Sequence, residues 1–138
     1  MSQENVETVR ASFKAWNAGD MDALRQLYAP DVVLQPAEGW HEPRPYGGRD
    51  AVMQLLAQVR ERWDSYDAAE PISLIEAGDR VVVRYIWQGT GRGPVVNLEQ
   101  TVVYTVRTSQ VVRQEYFWDH AGALEAVGLS EQDAHADS

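Results

Sequence analysis

The chain of 138 residues contains no cysteine. This absence excludes disulfide bonds, thiolate metal sites and a cysteine nucleophile. Basic residues are also scarce, because 12 Lys and Arg stand against 21 Asp and Glu and give a formal net charge of −9. Nucleic acids and anionic membrane surfaces are bound through clustered Lys and Arg. We therefore expect neither a nucleic acid nor a membrane as a partner.

Long apolar segments and known targeting signals are missing as well. No apolar run is long enough to span a bilayer, and the start MSQENVETVR lacks the features of a signal peptide. We therefore expect a cytoplasmic protein. The three histidines, at 41, 120 and 135, show none of the close spacing of zinc-binding motifs. We expect no metal and no cofactor.

What the chain does contain fits one globular domain. Hydrophobic residues make up 44% of the sequence and charged residues 24%, which is enough apolar material for a core. We expect a single domain over residues 1–129. The polar segment SEQDAHADS at 130–138 is typical of a flexible tail.

Apolar residues recur at helical spacing in four segments. Cap and stop residues bound the helices that this spacing predicts. The four predicted helices begin behind Ser2, at Asp20 with a stop at Pro30, at Asp50, and at Asp119 with an end at Gly128.

Residues 32–35 and most of the chain from 66 to 118 are typical of β-strands. In the strand at 81–88 we expect the face with Val83, Tyr85 and Trp87 to point inward and Arg84 to point outward. Helices followed by antiparallel strands indicate an α+β fold, with the helices packed on one face of a twisted sheet. A long sheet that curls around helices encloses a cone-shaped space.

Three segments carry a family resemblance: FKAWNAGDMDALRQLYAPDVVLQP at 13–36, GGRDAV at 47–52 and VVRQEYFWDHAGALEAVGL at 111–129. They resemble the SnoaL-like group of the NTF2-like superfamily, which includes ketosteroid isomerases, polyketide cyclases and limonene epoxide hydrolases. The resemblance implies a cone of strongly curved, antiparallel or mixed sheet around N-terminal helices, with a pocket inside. It also implies a homodimer that forms through the outer face of the sheet.

The residues at the family's catalytic positions disfavour some of its activities and leave others open. The positions of the catalytic tyrosine and aspartate of ketosteroid isomerases hold Ser12 and Pro36, which disfavours that reaction. The epoxide hydrolase pattern is incomplete, because only Arg84 matches its Arg-x-Asp pair. Polyketide cyclases of this group use an acid in an apolar pocket, and the candidates here are Glu115 first and Asp119 second.

Each candidate acid also has a structural interpretation. Glu115 and Arg113 are two residues apart in a predicted strand, so they share a face and can form an ion pair. An apolar pocket would instead raise the pKa of Glu115 and make it a usable proton shuttle. Asp119 precedes the last helix, where an aspartate is an ordinary N-cap.

Aromatic residues and a few polar ones are candidates to line the pocket, although aromatics at these spacings are often plain core. The candidates are Trp16, Tyr28, Trp40, His41, Trp63, Tyr85, Trp87, Gln100, Tyr104 and Phe117. Two functions stay open. One is a cofactor-independent cyclase, isomerase or hydrolase for a small hydrophobic molecule, and the other is a non-catalytic ligand-binding or dimerisation domain.

Overall fold

The computed structural model describes residues 2–37, 44–61, 65–90 and 96–129. In chain order the elements are α1 (Ser2–Ala18), α2 (Met21–Gln26), β1 (Tyr28–Gln35), β2 (Tyr46–Gly47), α3 (Arg49–Glu61), β3 (Ser65–Ala77), β4 (Arg80–Thr90), β5 (Val96–Arg107), β6 (Gln110–Phe117) and α4 (His120–Ala126). Across these ranges, no helix has the length and apolar character that crossing a membrane requires.

The six strands form one mixed sheet in the order β2-β1-β6-β5-β4-β3. β1 and β6 run parallel, and the other neighbouring strands are antiparallel. The turn between β5 and β6 consists of Thr108 and Ser109, with φ values of 52° and 61°. Positive φ at both residues is the geometry of a two-residue hairpin turn that matches the twist of the strands. The α+β fold is therefore confirmed, and of the two sheet types that were left open the structure has the mixed one.

The predicted helix at 20–30 is shorter than expected. Asp20 caps α2 as predicted, since its carboxylate accepts a hydrogen bond of 3.1 Å from the backbone nitrogen of Ala23. The helix nevertheless ends at Gln26, and Tyr28 starts β1 opposite Val111 of β6. Pairing with a distant strand overrides the local helical pattern here. Ser2 is likewise the first residue of α1 and not its N-cap.

The main core lies between the inner face of the sheet and the helices α1 and α3. Val83 and Tyr85 of β4 join this core, so the predicted inward face of the strand is confirmed for both. Arg84 points away and forms an ion pair with Glu99. The side chain of Trp87 lies outside the described part of the structure.

Helix α4 lies on the other face of the sheet, so the prediction that all helices share one face is wrong. Ala123 and Leu124 of α4 form a second buried cluster with Val82 and Val103. Consecutive valines in β4 and β5 make both faces of these strands apolar, and an apolar outer face is stable only when something covers it. α4 provides that cover.

Removing the Leu124 side chain tests this second cluster. Leu124 is fully buried, so Leu124→Ala should lower the free energy of unfolding by about 2–5 kcal/mol, as for other buried leucines. Glu125→Ala, an exposed position of the same helix, is the matched control and should change it by less than about 0.5 kcal/mol. Urea unfolding of both variants gives the comparison. Equal stability of the two variants would contradict the placement of α4.

Candidate functional site

A cavity of about 140 Å³ lies between the inner face of the sheet and the helices. For comparison, a cavity of about 150 Å³ in another protein accepts a benzene molecule. Phe13 of α1 lines the cavity and makes edge contacts with the rings of Tyr85 and Tyr104, at centroid distances of 5.6 and 6.1 Å. Trp16, Leu55 and the other lining residues are mainly apolar. The cavity is thus close in volume to one that holds a single aromatic ring, and its walls are mainly apolar.

A chain of hydrogen bonds crosses one wall of the cavity. The hydroxyl of Tyr28 donates to Oε1 of Gln114 over 2.7 Å, and Nε2 of Gln114 donates to the hydroxyl oxygen of Tyr116 over 2.5 Å. Gln114 is buried, and a buried amide without partners is costly. The two tyrosines therefore stabilise an amide on the inner face of β6.

Two further polar pairs reach the same cavity. The Tyr85 hydroxyl donates to Oε1 of Gln100 over 2.6 Å. The Ser12 hydroxyl donates to the backbone carbonyl of Val9 over 2.6 Å, and the side chain of Ser12 also lies beside Tyr104. Every one of these side chains except Val9 lines the cavity. The cavity thus combines apolar walls with a few neutral polar groups.

Burial keeps the phenols of this cavity protonated. It raises the pKa of Tyr28 and Tyr104 well above the usual value, and it raises the pKa of Tyr116 to about 12. The hydrogen bond from Gln114 acts against this increase at Tyr116, with the smaller effect. At neutral pH these hydroxyls are therefore uncharged groups that can donate or accept hydrogen bonds.

Half of the predicted lining residues lie at the cavity. These are Trp16, Tyr28, Tyr85, Gln100 and Tyr104. Phe117 instead packs against the cluster beneath α4, on the opposite face of the sheet. Trp40, His41 and Trp63, together with the side chain of Trp87, lie outside the described residues.

Neither candidate acid lines the cavity. Glu115 lies between the inward-facing Gln114 and Tyr116, so its side chain points to the outer face, where its Oε1 is 3.1 Å from Nε of Arg113. Asp119 accepts a hydrogen bond of 3.0 Å from the backbone nitrogen of Ala121 and caps α4. The ion pair and the cap are thus the observed contacts, and the catalytic roles of both acids stay predictions.

Sequence reasoning missed Gln114 and Tyr116 as site residues. Strand alternation offered the signal, because Arg113 and Glu115 share one face and the residues after each must share the other. Ser12 was considered only as an unsuitable replacement for a catalytic tyrosine. Its hydrogen bond to Val9 is local to α1, but its position in the cavity wall beside Tyr104 depends on tertiary packing that local patterns do not reveal.

The comparison with protein families identifies the SnoaL-like domain, matched over residues 9–114. The chain belongs to the SnoaL-like family. The match to the family thus confirms the resemblance seen in the sequence. Among curated protein sequences, none matches it significantly.

Solved structures with the same NTF2-like fold cover most of this SnoaL-like domain. A putative polyketide cyclase from Sinorhizobium meliloti is 27% identical over 80% of this chain and 93% of its own, with a TM-score of 0.67. TerC, co-crystallised with polyporic acid, is 26% identical over 90% and 98%, with a TM-score of 0.74. An NTF2-like protein of unknown function from Burkholderia pseudomallei is 24% identical over 91% and 98%, also with a TM-score of 0.74.

The raised pKa values predict how this SnoaL-like domain responds to alkali. The neutral phenols favour the folded state, so their contribution is complete below the ordinary pKa of 10.0 and is lost as the pH rises toward the folded value, about 12 for Tyr116. Absorbance at 295 nm should show Tyr28, Tyr104 and Tyr116 ionising together with unfolding, which circular dichroism reports. Ionisation of all six tyrosines near pH 10 in a folded protein would contradict the buried network.

Proposed function

We propose that this chain binds a small, flat, mainly hydrophobic molecule in the cavity and promotes its cyclisation or isomerisation without a cofactor. The observation that carries this proposal is the cavity itself, where apolar walls surround a few neutral polar groups from β1, β4, β5 and β6. Ligand sites of proteins typically have this composition. Membership of the SnoaL-like family and the likeness to a putative polyketide cyclase support the proposal.

The polar groups suggest how the cavity would assist such a reaction. Cyclisation or isomerisation through an enolate places negative charge on a carbonyl oxygen. Fixed hydrogen-bond donors aimed at that oxygen, in a site that excludes water, lower the barrier. Protonated phenols and glutamine amides are donors of this kind, and they converge here from the sheet.

A proton shuttle is the less supported part of the mechanism. The described cavity-lining residues include no carboxylate, and Glu115 and Asp119 remain candidates only through the family resemblance. This observation favours a second function, in which the cavity binds its ligand without converting it. The two functions share one site and differ in whether the bound molecule is released as a product.

The expected homodimer and cytoplasmic location stay predictions. α4 covers part of the outer face through which dimers were expected to form. Ile72 and Trp118 are the large apolar side chains that stay exposed in the described ranges, at 49% and 46%.

A ligand screen with a blocked cavity tests the proposal. We expect carbonyl compounds with one ring, or with two fused rings, to raise the melting temperature. A ligand at a hundred times its Kd stabilises the fold by about 2.7 kcal/mol. Leu55→Trp replaces a partly buried lining side chain with a much larger one, which should fill the cavity and remove the increase in melting temperature. Gln54→Trp, at the exposed neighbouring position of α3, should retain it.

The same screen can contradict the proposal. A shift that survives Leu55→Trp would place the ligand elsewhere. Mass spectrometry of each stabilising compound after incubation distinguishes conversion from binding alone. Turnover that is abolished by Glu115→Gln, with ligand binding intact, would instead establish the carboxylate mechanism.

A further inference from the structure

We infer that Tyr116 and Gln100 are the residues that donate hydrogen bonds to the ligand, and that the ligand is an uncharged molecule whose carbonyl-type oxygen accepts them. This inference rests on the proposed function, because it assumes that the cavity is the ligand site. It adds the chemical class of the ligand and the residues that select it.

Two of the phenols that line the cavity, together with Ser12, already use their hydroxyl protons. Tyr28 donates to Gln114, and Tyr85 donates to Gln100. The Ser12 hydroxyl donates its proton to the carbonyl of Val9. None of these three hydroxyl protons is free for a ligand.

Tyr116 differs from Tyr28 and Tyr85 because its oxygen accepts a hydrogen bond. The donor is Nε2 of Gln114, whose Oε1 is occupied by the proton of Tyr28. Tyr28 thus fixes the orientation of the Gln114 amide, and the amide leaves the Tyr116 proton unused. In the described residues this proton has no acceptor. Gln114 is therefore a positioning residue for the Tyr116 hydroxyl.

Gln100 supplies the second donor. Its Oε1 is occupied by the Tyr85 proton, and its Nε2 has no hydrogen-bond partner within the described ranges. Gln100 is buried and lines the cavity, so its N–H groups can donate to a molecule held there. Tyr85 has the same effect on Gln100 that Tyr28 has on Gln114.

The sheet register places the two donors close together. Tyr116 lies opposite Val102, and Gln100 is two residues from Val102 on the same strand. Such diagonal neighbours on one face are about 7–8 Å apart. Both side chains can therefore reach one ligand oxygen, or two oxygens on the same ring system.

The remaining polar groups determine which ligands fit. The side-chain oxygen of each glutamine already accepts one phenol proton, whereas the Tyr116 proton and the N–H groups of Gln100 are unused within the described part of the structure. A ligand that accepts hydrogen bonds therefore gains more than one that donates them. The described lining residues carry no ionisable side chain other than the neutral tyrosines, and an unpaired charge in an apolar site is costly. An uncharged carbonyl compound accepts hydrogen bonds from the available donors and brings no unpaired charge into the cavity.

Three compounds with one skeleton test this inference: indane, 1-indanone and 1-aminoindane, which is cationic at neutral pH. Isothermal calorimetry with the full chain gives the three dissociation constants. We expect 1-indanone to bind about two- to tenfold more tightly than indane, the range that one net hydrogen bond supplies. The cationic amine should bind more weakly than the ketone.

Variants test whether Tyr116 and Gln100 cause the preference for 1-indanone over indane. Tyr116→Phe and Gln100→Leu should each reduce the ratio of the indane to the 1-indanone dissociation constant toward one, while indane itself still binds. Tyr46→Phe makes the same chemical change at a tyrosine that is not among the lining residues. This variant should lower the ratio by less than twofold, and indane binding shows that its cavity is intact.

The outcomes separate this inference from the proposed function. Equal binding of indane and 1-indanone, both blocked by Leu55→Trp, would overturn the donor assignment and leave the cavity as the ligand site. A ratio that falls with Tyr46→Phe and not with Tyr116→Phe would also overturn it. Failure of the three compounds to bind would count against the proposed function, and the inference would fall with it.

Discussion

The hydrogen bond from Tyr28 to Gln114 joins the first long strand of the sheet to the last one, across 86 positions of sequence. The inner face of the sheet carries polar side chains into an apolar interior, where each must find a partner. Tyrosine and glutamine satisfy this requirement mutually, since a phenol can donate to an amide oxygen and accept from an amide nitrogen. The polar wall of the cavity is stable because these pairs form.

The same constraint determines what the cavity can do. Pairing uses most of the donors and acceptors, and the groups left over give the site its chemical preference. Because the groups are neutral, their donor character persists across the physiological pH range. Chemistry in this cavity would therefore depend on hydrogen bonds to a developing charge, whereas the Glu115 side chain lies on the outer face.

Much of the fold follows from local sequence patterns. Helical spacing identified α1 and α3, Asp20 and Asp119 were recognised as caps, and alternation in β4 gave the correct direction for Tyr85 and Arg84. The end of α2 was missed because Tyr28 pairs with a strand more than eighty residues away. The position of α4 was missed because consecutive valines such as Val82 and Val83 do not reveal which element covers each face.

The site was predictable only in part, for a similar reason. The aromatic residues of α1, β4 and β5 were recognised because large apolar side chains indicate an interior. Gln114 was missed because nothing in its immediate neighbours shows that a tyrosine from β1 stabilises its burial. The predicted site residue was the neighbouring acid Glu115, but its side chain points to the outer face of the sheet.

The most direct test of this account is the nuclear magnetic resonance of the glutamine side chains during titration with 1-indanone. If the cavity is the site, the side-chain amide signals of Gln100 and Gln114 should shift in proportion to occupancy, and the backbone signals of α4 should stay in place. Shifts around α4 with unchanged Gln100 and Gln114 signals would show that the ligand binds the outer face, and the account would be contradicted.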